Sequence, residues 1–327
     1  MLPKLSALTI DWPLRQAKLF SRIQPLIVEI GFGNGDYLLH QAATRPHCNI
    51  IGLEISSQSM AKAEAKIDER GLSNARPIHC RAETALSHLL EPRSVREFHI
   101  NYPDPWFKKR HGRRRLIQRG TVELLTSRLA ADGLLLLATD IRDYAEMAHE
   151  ILSSARGLQN EYAAPWLHEV AGRFPTKYEE KGYREGRRGH FFRYRRDDSP
   201  VPHPPVIKEL EMPHLILRTP LNTAEIVDRF APMKLSVDGA HIAVLHAWLD
   251  SKRGIALFEV VVEEPSISQH SMIMLAPRAG EGECIVKLTT IGHARSTLGM
   301  HRTVAAVGDW VAGLDSAGAV IERRVRA

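Results

Sequence analysis

The chain has 327 residues, about twice the size of a typical domain, so its length predicts two domains. Hydrophobic residues make up 44% and charged residues 25%, a globular composition that excludes a disordered or fibrous chain. The formal net charge of +6 favours an anionic partner, with nucleic acid as the first candidate.

The cysteines and the hydropathy pattern narrow the class of protein further. Cys48, Cys80 and Cys284 lie far apart and form no CxxC or Cys/His cluster, so we expect neither a disulfide framework nor a metal site. The apolar runs fall well short of the ~20 residues that cross a bilayer, and the N-terminus is a poor signal peptide. These features predict a cytoplasmic protein that does not bind a membrane.

Residues 1–196 alternate short β-branched runs with amphipathic helical patterns. This alternation predicts an α/β domain in which a doubly wound, mostly parallel sheet carries helices on both faces. The predicted strands are Leu26–Gly31, Asn49–Ile55, Arg76–Cys80, Glu97–Tyr102 and Gly133–Asp140. The predicted helices are Asp36–Thr44, Ser57–Arg70, Thr84–Leu90, Arg114–Leu129 and Arg142–Ala155.

A proline-rich stretch separates this domain from a second one. Residues 197–206, DDSPVPHPPV, carry four prolines, and we interpret them as a semi-rigid linker. Residues 207–327 contain strand-like runs such as IALFEVVVEE and a short helical pattern at Thr223–Phe230. They predict a smaller C-terminal α+β domain, whose role the sequence does not indicate.

The segment VEIGFGNGDYLL places Gly31, Gly33 and Gly35 between a strand and a helix, where the backbone turns sharply and a ligand approaches it closely. Glu54 ends the second predicted strand, where a carboxylate can accept both hydroxyls of an adenosine ribose. Glu29 precedes the loop, where it would repel a pyrophosphate and attract an ammonium group. The pattern therefore favours S-adenosylmethionine over NAD.

The stretch NYPDPW follows the fourth predicted strand, at the end of the sheet that faces the ligand crevice. Pro103 and Pro105 stiffen the backbone around Asp104, and Trp106 offers a ring on which a base can stack. A basic cluster follows: Lys108, Lys109, Arg110, His111, Arg113, Arg114 and Arg115. Cations are unfavourable at a helix N-terminus, so their presence there favours a role in binding phosphates.

A second basic stretch, residues 181–196, alternates arginines with aromatic residues, and its arginines face either RNA or solvent.

Read in order, the motifs EIGFGNG, GLEIS, NYPDPWFKKRHGRRR, ATD and FPTKYEEKG resemble those of the bacterial tRNA (guanine-N7-)-methyltransferases, the TrmB family. The resemblance covers roughly residues 25–196, and PDPWxKxRHxxRR is its most specific motif. It implies a class I methyltransferase fold, Rossmann-like in its sheet. It also implies S-adenosylmethionine as the methyl donor and N7 of guanine 46, in the tRNA variable loop, as the acceptor.

The resemblance also implies roles for individual residues. Asp104 matches the acid usually described as catalytic, and it also lies near the donor. The expected donor-binding residues are Glu29, Gly31, Gly33, Glu54, Ala82, Glu83 and Asp104. The expected substrate-binding residues are Lys108, Asp140, Thr176, Lys177, Tyr178 and Glu179. Ala82 departs from the family, which often has an acid there, so either Glu83 or backbone groups contact the adenine.

Methyl transfer to N7 needs no general base because that nitrogen carries an in-plane lone pair and no proton. Asp104 would then stabilise developing positive charge or accept hydrogen bonds from the guanine edge, unless it only caps the next helix. Asp140 binds substrate or caps the helix that begins near Arg142. Two other functions stay open, an amino-group methyltransferase, which NYPDPW distantly resembles, and an inactive RNA-binding relative. The expected partner is tRNA, and a homo-oligomer is neither predicted nor excluded.

Overall fold

Buried apolar strands form a seven-stranded sheet in the first part of the chain. The structure, a computed structural model, describes residues 4–106 and 109–326. The strands are β1 (Leu26–Ile30), β2 (Asn49–Glu54), β3 (Ala75–His79), β4 (Val95–Asn101), β5 (Leu129–Thr139), β6 (Leu158–Asn160) and β7 (His190–Arg196). Their order is β3-β2-β1-β4-β5-β7-β6, in which β1 to β5 are parallel and β7 is antiparallel to both of its neighbours.

Helices cover both faces of this sheet, as predicted. They are α1 (Gln16–Leu19), α2 (Asp36–Thr44), α3 (Ser57–Glu69), α4 (Ala82–Thr84), α5 (Arg119–Arg128), α6 (Arg142–Ser154) and α7 (Lys177–Arg184). Apolar side chains of α2 and α3 pack on one face around Ile27 and Ile50. Those of α5 and α6 pack on the other face, around Val28 and Leu135. The predicted doubly wound class is therefore confirmed for this part of the chain.

Two predicted helices differ from the observed ones. The segment predicted as helix Thr84–Leu90 contains a π-helical turn, Ala85–Leu89, which directly follows α4. The helix predicted over Arg114–Leu129 is wrong at its start, because α5 begins at Arg119 and a 3₁₀ turn spans Lys109–Arg114. The reason is that the side chain of Arg115 is bonded to carbonyl groups of the preceding loop, and Gln118 is extended with a φ of −138°.

The chain divides into two units, Met1–Ile207 and Lys208–Ala327. The proline-rich stretch 197–206 belongs to the first unit, where Arg128 donates to the Pro204 carbonyl over 2.6 Å. Next to it, the Ile207 amide donates to the Ser87 carbonyl over 2.8 Å. Arg128 is 1% exposed and also donates to the Leu86 carbonyl, so one buried guanidinium ties the proline-rich stretch to the π-helical turn.

The second unit contains an antiparallel sheet of seven strands, in the order β14-β8-β13-β12-β11-β10-β9. The strands are β8 (His214–Arg218), β9 (Met233–Val237), β10 (Ala240–Asp250), β11 (Ile255–Glu264), β12 (Ile267–Pro277), β13 (Glu283–Leu288) and β14 (Ala319–Arg324). Two helices accompany it, α8 (Thr223–Asp228) and α9 (Leu298–Ala312), and the buried face of α9 joins the sheet in one apolar core. In the ranges 4–106 and 109–326, no helix is long and apolar enough to cross a membrane.

Candidate active site

The carboxyl ends of β1, β2 and β4 bring together the residues that the sequence singled out in the first unit. Glu29 lies one residue before the end of β1, Glu54 ends β2 and Asn101 ends β4. Because these strands are parallel neighbours, their polar ends meet at one edge of the sheet. Ligands of open α/β sheets bind at this edge.

The glycine loop that follows β1, residues 31–35, has glycines in the left-handed backbone conformation and is held by one carboxylate. Gly33 and Gly35 have φ values of +57° and +81°, which glycine adopts without strain. The Gly33 amide donates to Oε2 of Glu54 over 3.0 Å. A Cβ at Gly35 would lie 3.0 Å from the Cβ of Ala63, so the loop also packs closely on α3. Gly31, with a φ of +73°, has open space where a side chain would be.

Backbone amides on both sides hold the Glu54 carboxylate. Its Oε1 accepts from the amides of Ile55 and Ser56 over 2.8 and 2.9 Å, and its Oε2 accepts from Gly33. An ionised carboxylate has about four acceptor sites, so roughly one stays open for a ligand hydroxyl. Glu54 is therefore fixed in orientation while it keeps some capacity to bind a ligand.

Glu29 is a buried acid with one unused oxygen. The residue is 2% exposed, and its Oε1 accepts from Nδ2 of Asn101 over 3.3 Å. Within the described part of the chain, Oε2 has no hydrogen-bond partner. Burial raises the pKa of Glu29 to about 8, although Asn101 and Arg173 partly counteract that rise. A buried carboxylate is costly unless a cation or donor completes it, so the site fits a ligand with an ammonium group.

Arg173, which the sequence reasoning missed, joins this acid to the FPTKYEEKG motif. Its Nη2 donates to Oδ1 of Asn101 over 2.7 Å, and its Nε donates to Oε2 of Glu179 over 3.0 Å. Thr176 and Glu179 form a capping box at the start of α7 and are both buried. A lone arginine in the sequence carried no signal of this role, because its partners are up to 72 positions away.

Lys177 and Tyr178 lie on the exposed side of the same helix start. A Cβ built at Gly33 would be 3.7 Å from the Tyr178 ring, so this ring lies beside the glycine loop. The structure therefore brings the substrate-binding residues predicted on α7 next to the predicted donor-binding loop.

Asp104 is exposed between two residues with unusual backbone conformations. Tyr102 and Trp106 have φ values of +52° and +42°, which non-glycine residues rarely adopt and which cluster at functional sites. Arg115 stabilises this loop by donating to the carbonyls of Pro105 and Trp106 over 2.9 and 3.2 Å. The Arg114 guanidinium lies 5.1 Å from the centre of the Trp106 ring, on the ring that was expected to stack on a base. Lys108 lies outside the described residues.

Asp140 follows β5 and contacts α7. Its Oδ2 accepts from Nε of Arg187 over 2.6 Å, and a Cβ at Gly182 would lie only 2.8 Å from the same oxygen. The alternative role in capping α6 does not match the geometry, because the N-cap is Ile141 and makes no side-chain cap bond. Instead, Thr139 accepts from the Ile141 amide over 3.2 Å. Asp140 therefore joins the end of β5 to the helix that carries Lys177 and Tyr178.

The remaining predicted positions lie at the edges of the site. Ala82 is 8% exposed and begins α4, and the partly exposed Glu83 pairs with Arg81 over 3.5 Å. In the second basic stretch, Arg193 and Arg195 of β7 both pair with Glu161. Among residues 4–106 and 109–326, no group of three or more His, Cys, Asp or Glu side chains could hold a metal ion.

Comparison with known proteins identifies the first unit. Residues 23–191 match the family described as "Putative methyltransferase". The chain is 42% identical over 168 residues to the tRNA (guanine-N(7)-)-methyltransferase of Thiobacillus denitrificans, covering 51% of this chain and 74% of that protein. It is 30% identical over 267 residues to the protein of the same name from Thermus thermophilus, covering 80% and 81%. The second alignment is longer than the first unit, so it extends into the second.

Among solved structures, the chain is similar to the 16S rRNA methyltransferase KamB and to the aminoglycoside resistance methyltransferase NpmB1. KamB is 19% identical, covers 57% of this chain and 93% of its own, and has a TM-score of 0.42. NpmB1 is 16% identical, covers 60% and 100%, and has a TM-score of 0.41. On the family match and the relatives in sequence, the predicted family is confirmed. The chain is a methyltransferase and belongs to the tRNA (guanine-N7-)-methyltransferase family.

Proposed function

We propose that this chain transfers the methyl group of S-adenosylmethionine to N7 of a guanine in tRNA, at position 46 of the variable loop. The observation that carries the proposal is the unused, buried oxygen of Glu29 beside the glycine loop. That oxygen fits the ammonium group of a methionine moiety, and the pyrophosphate of a dinucleotide would be repelled there.

The donor supplies an electrophilic methyl group on a sulfonium centre, and the residues around it bind and orient. Glu29 would hold the ammonium group, and Glu54 would accept from a ribose hydroxyl through its remaining acceptor site. Gly31 leaves open space for close approach of a ligand to the backbone. Ala82 and Glu83, at the start of α4, would lie near the adenine, where the short side chain of Ala82 leaves the contact to Glu83 or to backbone groups.

The tRNA would be held from the side of Asp104, Asp140 and α7. Asp104 is exposed and stiffened by its neighbours, so it can face a guanine that enters from solvent. Asp140, Thr176, Lys177, Tyr178 and Glu179 are joined through α7, and Lys108 belongs to the basic cluster that would bind phosphates. Since these phosphate contacts do not read sequence, specificity would come from RNA shape and from the exposed guanine.

No proton has to be removed before N7 attacks, so the contribution of the protein is alignment and electrostatic stabilisation. Positive charge moves from sulfur to the purine ring during transfer, and the Asp104 carboxylate would stabilise it. Because the substrate is tRNA, we place this reaction in the cytoplasm.

The experiment that tests the proposal is methyl transfer from radiolabelled S-adenosylmethionine to an unmodified tRNA transcript, followed by nucleoside analysis. The matched control is the same transcript with adenine in place of the variable-loop guanine. We expect 7-methylguanosine from the first transcript and no label in the second. Label on an exocyclic amino group, or equal labelling of both transcripts, would contradict the proposal.

A further inference from the structure

Arg173 connects several side chains near the proposed donor site. Its side chain is 12% exposed and is paired with Glu179. The guanidinium lies 4.8 Å from the centre of the Phe191 ring and 5.5 Å from that of Tyr37, so two aromatic faces hold it in place. Two different nitrogens of its planar guanidinium, Nη2 and Nε, donate to Asn101 and Glu179 in different directions. The single ammonium group of a lysine could not reproduce this arrangement.

The guanidinium determines which end of the Asn101 amide faces Glu29. Arginine can only donate, so the amide must turn its oxygen toward Arg173 and its nitrogen toward Oε1 of Glu29. In the opposite orientation, the amide oxygen could accept a hydrogen bond from the carboxyl O–H of a neutral Glu29. By occupying that oxygen, Arg173 favours the ionised carboxylate, which is the form that can bind an ammonium group.

The same guanidinium supports the beginning of α7. Oε2 of Glu179 accepts from Arg173 over 3.0 Å and from the Thr176 amide over 3.5 Å. In return, Oγ1 of Thr176 accepts from the Glu179 amide over 3.1 Å. Loss of Arg173 would leave the Glu179 carboxylate buried without its cation and would loosen the segment that includes Lys177 and Tyr178.

We infer that Arg173 is a positioning residue that acts through Asn101 on the donor-binding carboxylate Glu29 and through Glu179 on the proposed tRNA-binding segment. In this role Arg173 supports the donor site and the tRNA-binding segment without contacting the reacting atoms itself. This inference rests on the proposed function, because it assumes that Glu29 binds the ammonium group of the donor.

The test measures binding of S-adenosylhomocysteine, which carries the same ammonium group, by calorimetry between about pH 6 and pH 9. The variants are Arg173→Met, Asn101→Ala and the double variant. Asn101→Ala leaves the ion pair with Glu179 in place, so it keeps the test open if Arg173→Met does not fold. The control is Arg302→Met in the second unit, because Arg302 is 13% exposed, close to the 12% of Arg173, and is also paired with an acid, although its partner Asp238 is exposed and Glu179 is buried.

We expect about tenfold weaker binding at pH 7 for each single variant, and a loss in the double variant that is smaller than the product of the two. Both variants disturb the hydrogen bond from Asn101 to Glu29, and Arg173 adds a direct electrostatic attraction to Glu29. The pH midpoint for binding should also move upward in both, because each loses an interaction that lowers the pKa of Glu29. Glu54 and Tyr37 also face Glu29 and stay unchanged in every variant. A tRNA transcript should bind more weakly to Arg173→Met but normally to Asn101→Ala and Arg302→Met.

Two contrary results can be told apart. If the wild-type chain does not bind S-adenosylhomocysteine, both the proposed function and this inference are overturned. If the wild type binds it but the losses of the two single variants add up in the double variant, or the pH midpoint does not move, only the inference about Arg173 is overturned.

Discussion

Replacing Glu29 with glutamine tests the assignment of the donor site most sharply. Glutamine keeps the size of the side chain and one acceptor oxygen but removes the negative charge. A hydrogen bond to a charged group contributes about 1.5–3 kcal/mol, so the Kd for S-adenosylhomocysteine should rise about 10- to 150-fold. Glu54→Gln is a useful comparison, because Glu54 accepts three backbone hydrogen bonds and its loss should also affect the glycine loop.

The same substitution should have the opposite effect on the stability of the ligand-free chain. Burial raises the pKa of Glu29 to about 8, so the folded chain holds this proton more tightly than the unfolded chain. The free energy of unfolding therefore falls as the pH rises from the ordinary glutamate range to about 8. The contribution of Glu29 to stability is fully present only below this range, where the residue is protonated in both the folded and the unfolded chain. Glu29→Gln has no such group, so its stability relative to the wild type should increase over this range.

Urea denaturation of both proteins at about pH 5 and pH 8, without ligand, measures this difference. Calorimetry on the same samples gives the affinity for S-adenosylhomocysteine. For the wild type this affinity should increase with rising pH, by up to about tenfold per pH unit below pH 8, because the ammonium group binds the ionised form of Glu29. A Glu29→Gln variant that binds the ligand as tightly as the wild type would refute the assignment of Glu29 to the ammonium group. The assignment would also be refuted if the unfolding free energies of the two proteins changed by the same amount between about pH 5 and pH 8.

Three further substitutions test other parts of the account. Asp104→Asn should lower methyl transfer at least about tenfold, since its carboxylate would stabilise the positive charge that develops on the purine ring. Unaltered tRNA affinity would favour charge stabilisation over guanine recognition, and wild-type turnover would exclude both roles. Gly182→Ala should slow transfer to tRNA but not weaken donor binding, because the added Cβ would lie 2.8 Å from Oδ2 of Asp140. Alanine also stabilises a helix more than glycine does, so a variant more active than the wild type would show that this gain outweighs the clash and would contradict the expectation. Arg128→Met should cost about 1–3 kcal/mol of unfolding free energy in urea, as the buried carbonyl of Leu86 and the part-buried carbonyl of Pro204 lose their donor. An unchanged midpoint would argue against the tie between the proline-rich stretch and the π-helical turn.

Local patterns in the sequence were sufficient to predict the parallel part of the sheet. The apolar runs at Leu26–Gly31 and Asn49–Ile55 correspond to β1 and β2, and the three glycines do adopt positive φ values after β1. These features depend on side-chain periodicity and backbone freedom within a few residues, which a sequence displays directly. The α5 start could not be predicted in this way, because bonds from Arg115 to the loop at Pro105 replace the helical pattern.

The arrangement of the site depends on contacts between distant parts of the chain. The links from Arg173 to Asn101 and from Arg187 to Asp140 cross 72 and 47 positions, and no periodic pattern connects these residues. The sequence therefore identified Glu29, Asp140 and Glu179 separately but gave no indication of the cations that join them.

The measurement that tests the central claim most directly uses a tRNA transcript with 7-deazaguanine at the variable-loop position. This base has a C–H group in place of N7 and keeps the exocyclic amine, so it removes only the proposed acceptor atom. We predict that radiolabelled S-adenosylmethionine transfers its methyl group to the ordinary transcript, giving 7-methylguanosine, and leaves the 7-deazaguanine transcript unlabelled. Equal labelling of the two transcripts would contradict N7 as the acceptor and would point to methylation of an amino group or another position.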